Sequence, residues 1–378
     1  MDFTQLLKVM IDRDASDMFI TAGARPAIKV DGTIKPLTRE TLTPDQAKAL
    51  VHSTMNEKQL AEFEDTRECN FAIGAAELGR FRVSAFSQRN SPGMVLRRIH
   101  TTIPTLEELN LPQILADLSM TQRGLVLFVG GTSTGKSTSL ASMIDYRNRN
   151  HRGHIITVED PIEYIHNHQQ SIITQREVGI DTESFEVALK NTLRQAPDVI
   201  LMGEIRSTET MRYGLNFAET GHLCMATLHA NNANQALDRI INFFPSNQHD
   251  QLWMDLSLNL KAIVAQQLLP AADGKGRRAA IEVLINTPRV ADLIRQGNVQ
   301  EIKEVMKKSA NVGMKTFDQA LFDLYQDGEI DYEIALKHAD SANDLRLMIK
   351  LEGDTPVSEE KPDSEVSFSL QEETDYTS

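Results

Sequence analysis

The stretch GLVLFVGGTSTGKST, residues 124–138, constrains this chain more than any other. Gly130-x-x-x-x-Gly135-Lys136-Ser137 is the phosphate-loop pattern, with an apolar run before it and a helix-compatible segment from Leu140 to Ile144 after it. A strand-to-helix bend of this kind aims backbone N–H groups at phosphate oxygens. The candidate triphosphate cradle is therefore Gly130, Gly131, Thr132, Ser133, Thr134, Gly135, Lys136, Ser137 and Thr138. Lys136 is expected to reach the β- and γ-phosphates of ATP, and Ser137 to set its hydroxyl on Mg²⁺. Ser133-Thr134 leaves the loop less glycine-rich than it could be and predicts a slightly stiffer loop.

The surrounding pattern predicts an α/β fold. Short apolar runs recur at 125–129, 155–158, 199–202, 223–228 and 280–285, separated by helical stretches. Runs of this length read as strands buried on both faces, and their alternation with helices predicts a parallel sheet wrapped by helices. Residues 287–350 read as helical. The first hundred residues read differently, as a small mixed domain. It has a helix near Phe3–Ile11, a hairpin of 27–30 and 33–37 around Asp31-Gly32, a helix over 44–64, and alternating segments at 70–73, 79–86 and 94–99. Pro104 and Pro112 bracket a linker. The expected division is 1–102, a linker at 103–119, 120–350, and an acidic disordered tail from 351 to 378.

Acids at strand ends complete the candidate site. The run at 155–158 leads into Glu159-Asp160-Pro161-Ile162-Glu163, and functional groups of open α/β sheets gather at the carboxyl ends of strands. Glu163 is the candidate to orient the attacking water. The run at 199–202 ends in Gly203-Glu204-Ile205-Arg206, an apolar strand followed by an acid, which is how an ATPase holds its metal. Glu204 is the candidate metal carboxylate, and Arg206 reads as its ion-pair partner. His222 and His229 bracket a further strand and are candidate nucleotide sensors. A zinc site built on these two and Cys224 is not expected, because strand alternation scatters them and a fourth ligand is missing.

Composition limits the alternatives. The net charge is −14, and residues 352–378 hold nine acids against one base, so more than half of it lies in the tail. Direct binding of nucleic acid is not expected of such a balance. Two distant cysteines make neither a disulfide framework nor a zinc module. The opening MDFTQLLKVMIDRD lacks the apolar core of a signal peptide, and no apolar run is long enough to span a bilayer.

Taken in order, these boxes resemble the secretion ATPases of type II secretion and type IV pili, and within them the PilT/PilU retraction branch. The resemblance covers roughly residues 1–345. It rests on DASDMFITAGARPAIKVDG (14–32), GRFRVSAFSQR (79–89), the phosphate loop, EDPIEYIH (159–166), QREVG (175–179), LRQAPDVILMGEIR (193–206), the histidine box and LDRIINFFP (237–245). It implies an N-terminal PAS-like domain joined to a RecA-like ATPase domain, with C-terminal helices, in a homohexameric ring. It assigns Lys136 and Ser137 to Walker A, Glu163 to the catalytic position, Glu204 to Walker B, and His222 and His229 to the histidine box. It makes Arg80, Arg82 and Arg97 candidates to contact nucleotide across a subunit boundary. It also implies a cytoplasmic protein at the inner face of the inner membrane, partnered by a PilT-type ATPase and a membrane platform protein.

Departures place the chain nearer the accessory, PilU-type members. The loop reads GGTSTGKST where GPTGSGKST is usual, Ser207 replaces the aspartate of G-E-x-R-D, and RVADLIRQG (289–297) keeps only part of the AIRNLIRE-like element. The four-cysteine zinc module of extension motors is missing. Two other functions stay open at this stage: a nucleotide-binding scaffold that regulates another motor, and a RecA-like nucleic-acid translocase.

Overall fold

The structure is a computed structural model that describes residues 3–30, 32–75, 78–99 and 102–352. Asp31 of the expected hairpin turn and the acidic stretch from 353 onward lie outside the described residues.

The N-terminal part is built on six strands: β1 (Asp17–Thr21), β2 (Ala27–Val30), β3 (Thr33–Pro36), β4 (Glu68–Ala75), β5 (Gly79–Gln88) and β6 (Ser91–Ile99). Their order is β3-β2-β1-β6-β5-β4, every pair antiparallel. Helices Phe3–Asp12, Pro44–His52 and Glu57–Thr66 supply the rest of its core, which joins Leu7, Met10, Val51 and Phe63 to Met18, Phe81 and Leu96. The single helix expected over 44–64 is two helices. Asn56 caps the second, accepting from the amide of Gln59 while Gln59 bonds back to its N–H, so the chain restarts there rather than running through.

The rest of the chain carries a seven-stranded sheet: β7 (Gly124–Val129), β8 (His154–Glu159), β9 (Ile172–Glu177), β10 (Val199–Met202), β11 (Leu223–Leu228), β12 (Leu260–Pro270) and β13 (Arg277–Ile285). The order is β13-β12-β7-β11-β10-β8-β9. All neighbours are parallel except β12 and β13. The expected parallel sheet thus ends in one reversed strand. The physical reason is the short link between β12 and β13, with Gly274 and Gly276 at positive φ, since a tight turn can only return the chain antiparallel. Strands β1, β9 and β12 have no counterpart among the expected runs.

Strand β7 lies inside the sheet, between β12 and β11, and all six of its residues are buried. Leu125, Leu127 and Val129 face one core, while Val126 and Phe128 face the other. Helices Pro288–Arg295, Ile302–Lys307, Phe317–Gln326, Tyr332–His338 and Ala342–Glu352 close over the first core through Leu293, Ile302, Phe317, Ala335 and Leu345. Among the described residues no helix is long and apolar enough to cross a membrane.

Candidate active site

The carboxyl ends of β7, β8, β10 and β11 meet around a cavity of about 260 Å³. It is lined by Thr132, Ser133, Lys136 and Ser137 of the loop, by Glu159, Asp160 and Glu163 after β8, by Glu204 and Arg206 after β10, and by His229 after β11. The phosphate loop bends from β7 into the helix Lys136–Asn150. Two glycines are required here: a Cβ at Gly130 would stand 2.6 Å from the Gln266 backbone carbonyl, and Gly135 sits at φ +86° with a Cβ position 2.7 Å from the Gln266 side-chain Nε2.

Gln266, on β12, is the support that sequence reading did not find. Its buried amide donates to the Thr134 carbonyl at 2.8 Å and accepts from Ser139 Oγ at 2.8 Å, fastening the C-terminal side of the loop and the first turn of the following helix to the sheet. Ser133 departs from the usual loop in its backbone as well as its side chain. It sits at φ +62°, in the left-handed region, at the position where the usual pattern has glycine. A β-carbon there costs about 1–2 kcal/mol, so the loop holds a strain that the glycine version lacks.

Lys136 Nζ donates to the carbonyls of Gly130 at 2.9 Å and Gly131 at 2.6 Å. Burial pulls its pKa down, and the carboxylates of Glu204 and Glu163 push it back up. The ammonium is thus held between the loop and two acids. Thr138 does not line the cavity; its hydroxyl shares a 2.9 Å hydrogen bond with the phenol of Tyr164, tying the loop's helix to the segment that bears Glu163.

Glu204 stands at the end of β10, paired with Arg206 Nε at 2.7 Å and His229 Nε2 at 3.2 Å. Arg206 also reaches Asp160 at 3.6 Å, in accord with an ion-pairing role. Gly203 leaves little room for a side chain, a Cβ being 3.2 Å from the Glu159 Cα and from the Val158 carbonyl oxygen. Ser207, in the place of the usual aspartate, caps the helix Thr208–Glu219 by accepting from the Thr210 amide, a task serine and aspartate perform about equally well.

The structure separates several residues that the sequence grouped together. His229 is at the cavity, but His222 is at the far end of β11, beside Thr220 and the Phe217 carbonyl. A six-residue strand holds the two histidines roughly 20 Å apart. Nor do Arg80, Arg82 and Arg97 line the cavity. Arg97 pairs with Asp17 at 2.9 Å, and Arg82 faces Glu177 at 3.9 Å, bridging the N-terminal sheet to β9. Glu177 is fully buried, and its carboxylate faces Arg82 and the backbone N–H of Ile162. Desolvation raises its pKa, and Arg82 opposes this.

Ser137, Glu163, Asp160 and Glu204 bring hard oxygen donors to one side of the cavity. Among the described residues no cluster of three His, Cys, Asp or Glu side chains makes a complete cage. That donor set fits Mg²⁺, which binds through one or two carboxylates together with substrate phosphates.

Glu159 is raised to about 7 by burial, against hydrogen bonds from Thr157 and Gln175 and with help from the charges of Glu163 and Glu177. Folding therefore favours its neutral form. The stability this confers is fully present below about pH 4.5 and is lost as pH rises through about 7. Glu159→Gln is expected to match the parent at pH 4 and to exceed it at pH 8.5 by on the order of 1–3 kcal/mol. Melting both proteins at both pH values checks this, and a gap independent of pH would contradict it.

Comparison with known proteins agrees with this architecture. The family described as "Type II/IV secretion system protein" matches residues 2–329. The type IV pilus ATPase PilU of Pseudomonas aeruginosa is 68% identical over 351 residues, covering 93% of this chain and 92% of that one. The type IV pilus retraction ATPase PilT of the same organism is 40% identical over 339 residues, covering 90% and 98%. A crystal structure of the pilus retraction motor PilT with bound ADP superposes with a TM-score of 0.86 at 41% identity, covering 92% of this chain and all of that one.

Proposed function

Since the chain belongs to the type II/IV secretion system protein family, we propose that it is an ATP-hydrolysing motor of type IV pilus retraction, of the accessory PilU kind, acting beside a PilT-type ATPase. The observation that carries the reading is the convergence of Lys136, Ser137, Glu163 and Glu204 on one cavity at the strand ends. Phosphoryl transfer asks a protein for positioning and charge neutralisation rather than covalent chemistry. The loop amides and Lys136 hold the triphosphate. Glu163 orients a water in line with the γ-phosphate. Ser137 and Glu204 would hold Mg²⁺, which neutralises phosphate charge when bound. In this reading His229, paired with Glu204 at 3.2 Å, registers the γ-phosphate.

No arginine of the N-terminal sheet reaches its own chain's cavity, so on this reading Arg80, Arg82 or Arg97 acts on a neighbouring subunit's nucleotide. That calls for a homo-oligomer, in our reading a hexameric ring. The units that move are residues 1–102 and 120–350, joined at 103–119. An arginine supplied from a neighbour is worth about 10³–10⁵ in rate, so the isolated subunit should be a poor ATPase. In this reading the ring sits on the cytoplasmic face of the inner membrane, against the pilus platform protein.

Light scattering with and without ATP, with turnover assayed on the same fractions, tests this. Turnover is expected in the ring and not in the monomer. A protein that stays monomeric under every nucleotide and takes up no ATP with magnesium would overturn the proposal. The strained Ser133 favours one rival, a regulatory scaffold with little hydrolysis of its own. Its mark would be negligible turnover in the ring, both alone and with a PilT-type ATPase.

A further inference from the structure

We propose that Gln175 is the positioning residue for Glu163, which deepens the reading above and rests on it. Gln175 lies on β9, in register with Thr157 of β8, and does not line the nucleotide cavity. Its side-chain amide holds three points of the segment that carries Glu163. Nε2 donates to Glu159 Oε1 at 3.2 Å and to the Tyr164 carbonyl at 2.9 Å, and Oε1 accepts from the His166 amide at 2.8 Å. Glu163 stands between the first of these anchors and the other two.

The chemistry of the anchors selects an amide. The Tyr164 carbonyl needs a donor and the His166 N–H needs an acceptor, and a planar carboxamide offers both at once. A carboxylate at 175 could satisfy only the N–H. An apolar side chain of equal length could satisfy neither. The phenol of Tyr164 meets Thr138 on the opposite side, so the segment is pinned between β9 and the phosphate-loop helix. A residue that never touches the nucleotide can alter turnover only through what it holds, and a displacement of about 1 Å in a water-orienting group is enough to cost about 10²-fold in rate.

The experiment uses the full-length assembled protein and follows single-turnover hydrolysis of radiolabelled ATP alongside ATP affinity. Gln175→Met is expected to lower kcat by about 10–100-fold while leaving KM and Kd for ATP within about twofold. Gln175→Glu, which keeps the acceptor for His166, should lose less, and it carries the same test if the methionine variant does not fold. The readout that a merely structural role would not produce is non-additivity. In a Glu163→Gln background, Gln175→Met should slow the bound turnover by less than about twofold, because its effect runs through a side chain already disabled. A folded Gln175 variant with kcat unchanged overturns the inference, as do two losses that multiply. Normal hydrolysis by Glu163→Gln would remove the reading of Glu163 itself, and that outcome is visible without any change at position 175.

Discussion

Lys136→Ala is expected to abolish hydrolysis and to weaken nucleotide binding together. The ammonium lies at the base of the cavity, bonded to two loop carbonyls and flanked by Glu163 and Glu204. With Lys136 gone, those two acids face the phosphates without an intervening positive charge. Losing a charge aimed at the transferring phosphoryl group costs at least about 10²–10³ in rate. Affinity should fall as well, because the same charge serves the bound triphosphate before reaction. Turnover by phosphate release, with ATP binding by calorimetry, checks both. A variant that hydrolyses at the parent rate would remove the phosphate-loop assignment.

Glu163→Gln should separate what Lys136→Ala joins. The amide keeps the shape and reach of the side chain but cannot take a proton or fix the water with a full charge. Binding should survive nearly unchanged, and hydrolysis should drop by about 10²–10⁴-fold, the usual span for a positioned base. ATP should then be retained uncleaved, which filter binding followed by chromatography of the bound nucleotide would show. Lost binding combined with normal cleavage of whatever is bound would assign Glu163 to the wrong task.

The two variants bear on groups that lie close to their own chemistry along the chain, which is why the sequence made them legible. A phosphate loop is a local object, needing a buried strand, a glycine-tolerant bend and a helix start in one continuous stretch. Strand-terminal acids such as Glu163 and Glu204 are legible for the same reason, since an apolar run announces the strand and the acid follows it. The groups that hold these residues in place were not legible. Gln266 bonds Ser139 across 127 residues, and a nearly continuous apolar strand containing two adjacent glutamines gives no sign of which one meets the loop. Gln175 sits in a strand too polar to be recognised as one. The histidines show the same boundary: their spacing implied opposite ends of a strand, but it could not say which end meets Glu204.

By itself the sequence determined the chemistry at the bend, the alternation that makes a helix-covered sheet, and the mixed character of the first hundred residues, because each depends on neighbours in the chain. The tertiary structure alone decided that β13 runs backward against β12, that His229 rather than His222 faces Glu204, that the arginines of the N-terminal sheet stand away from their own cavity, and that Ser133 sits at a left-handed position. Each of these depends on which distant strand packs beside which, and a linear pattern carries residue type and spacing but not the order in which strands are laid side by side.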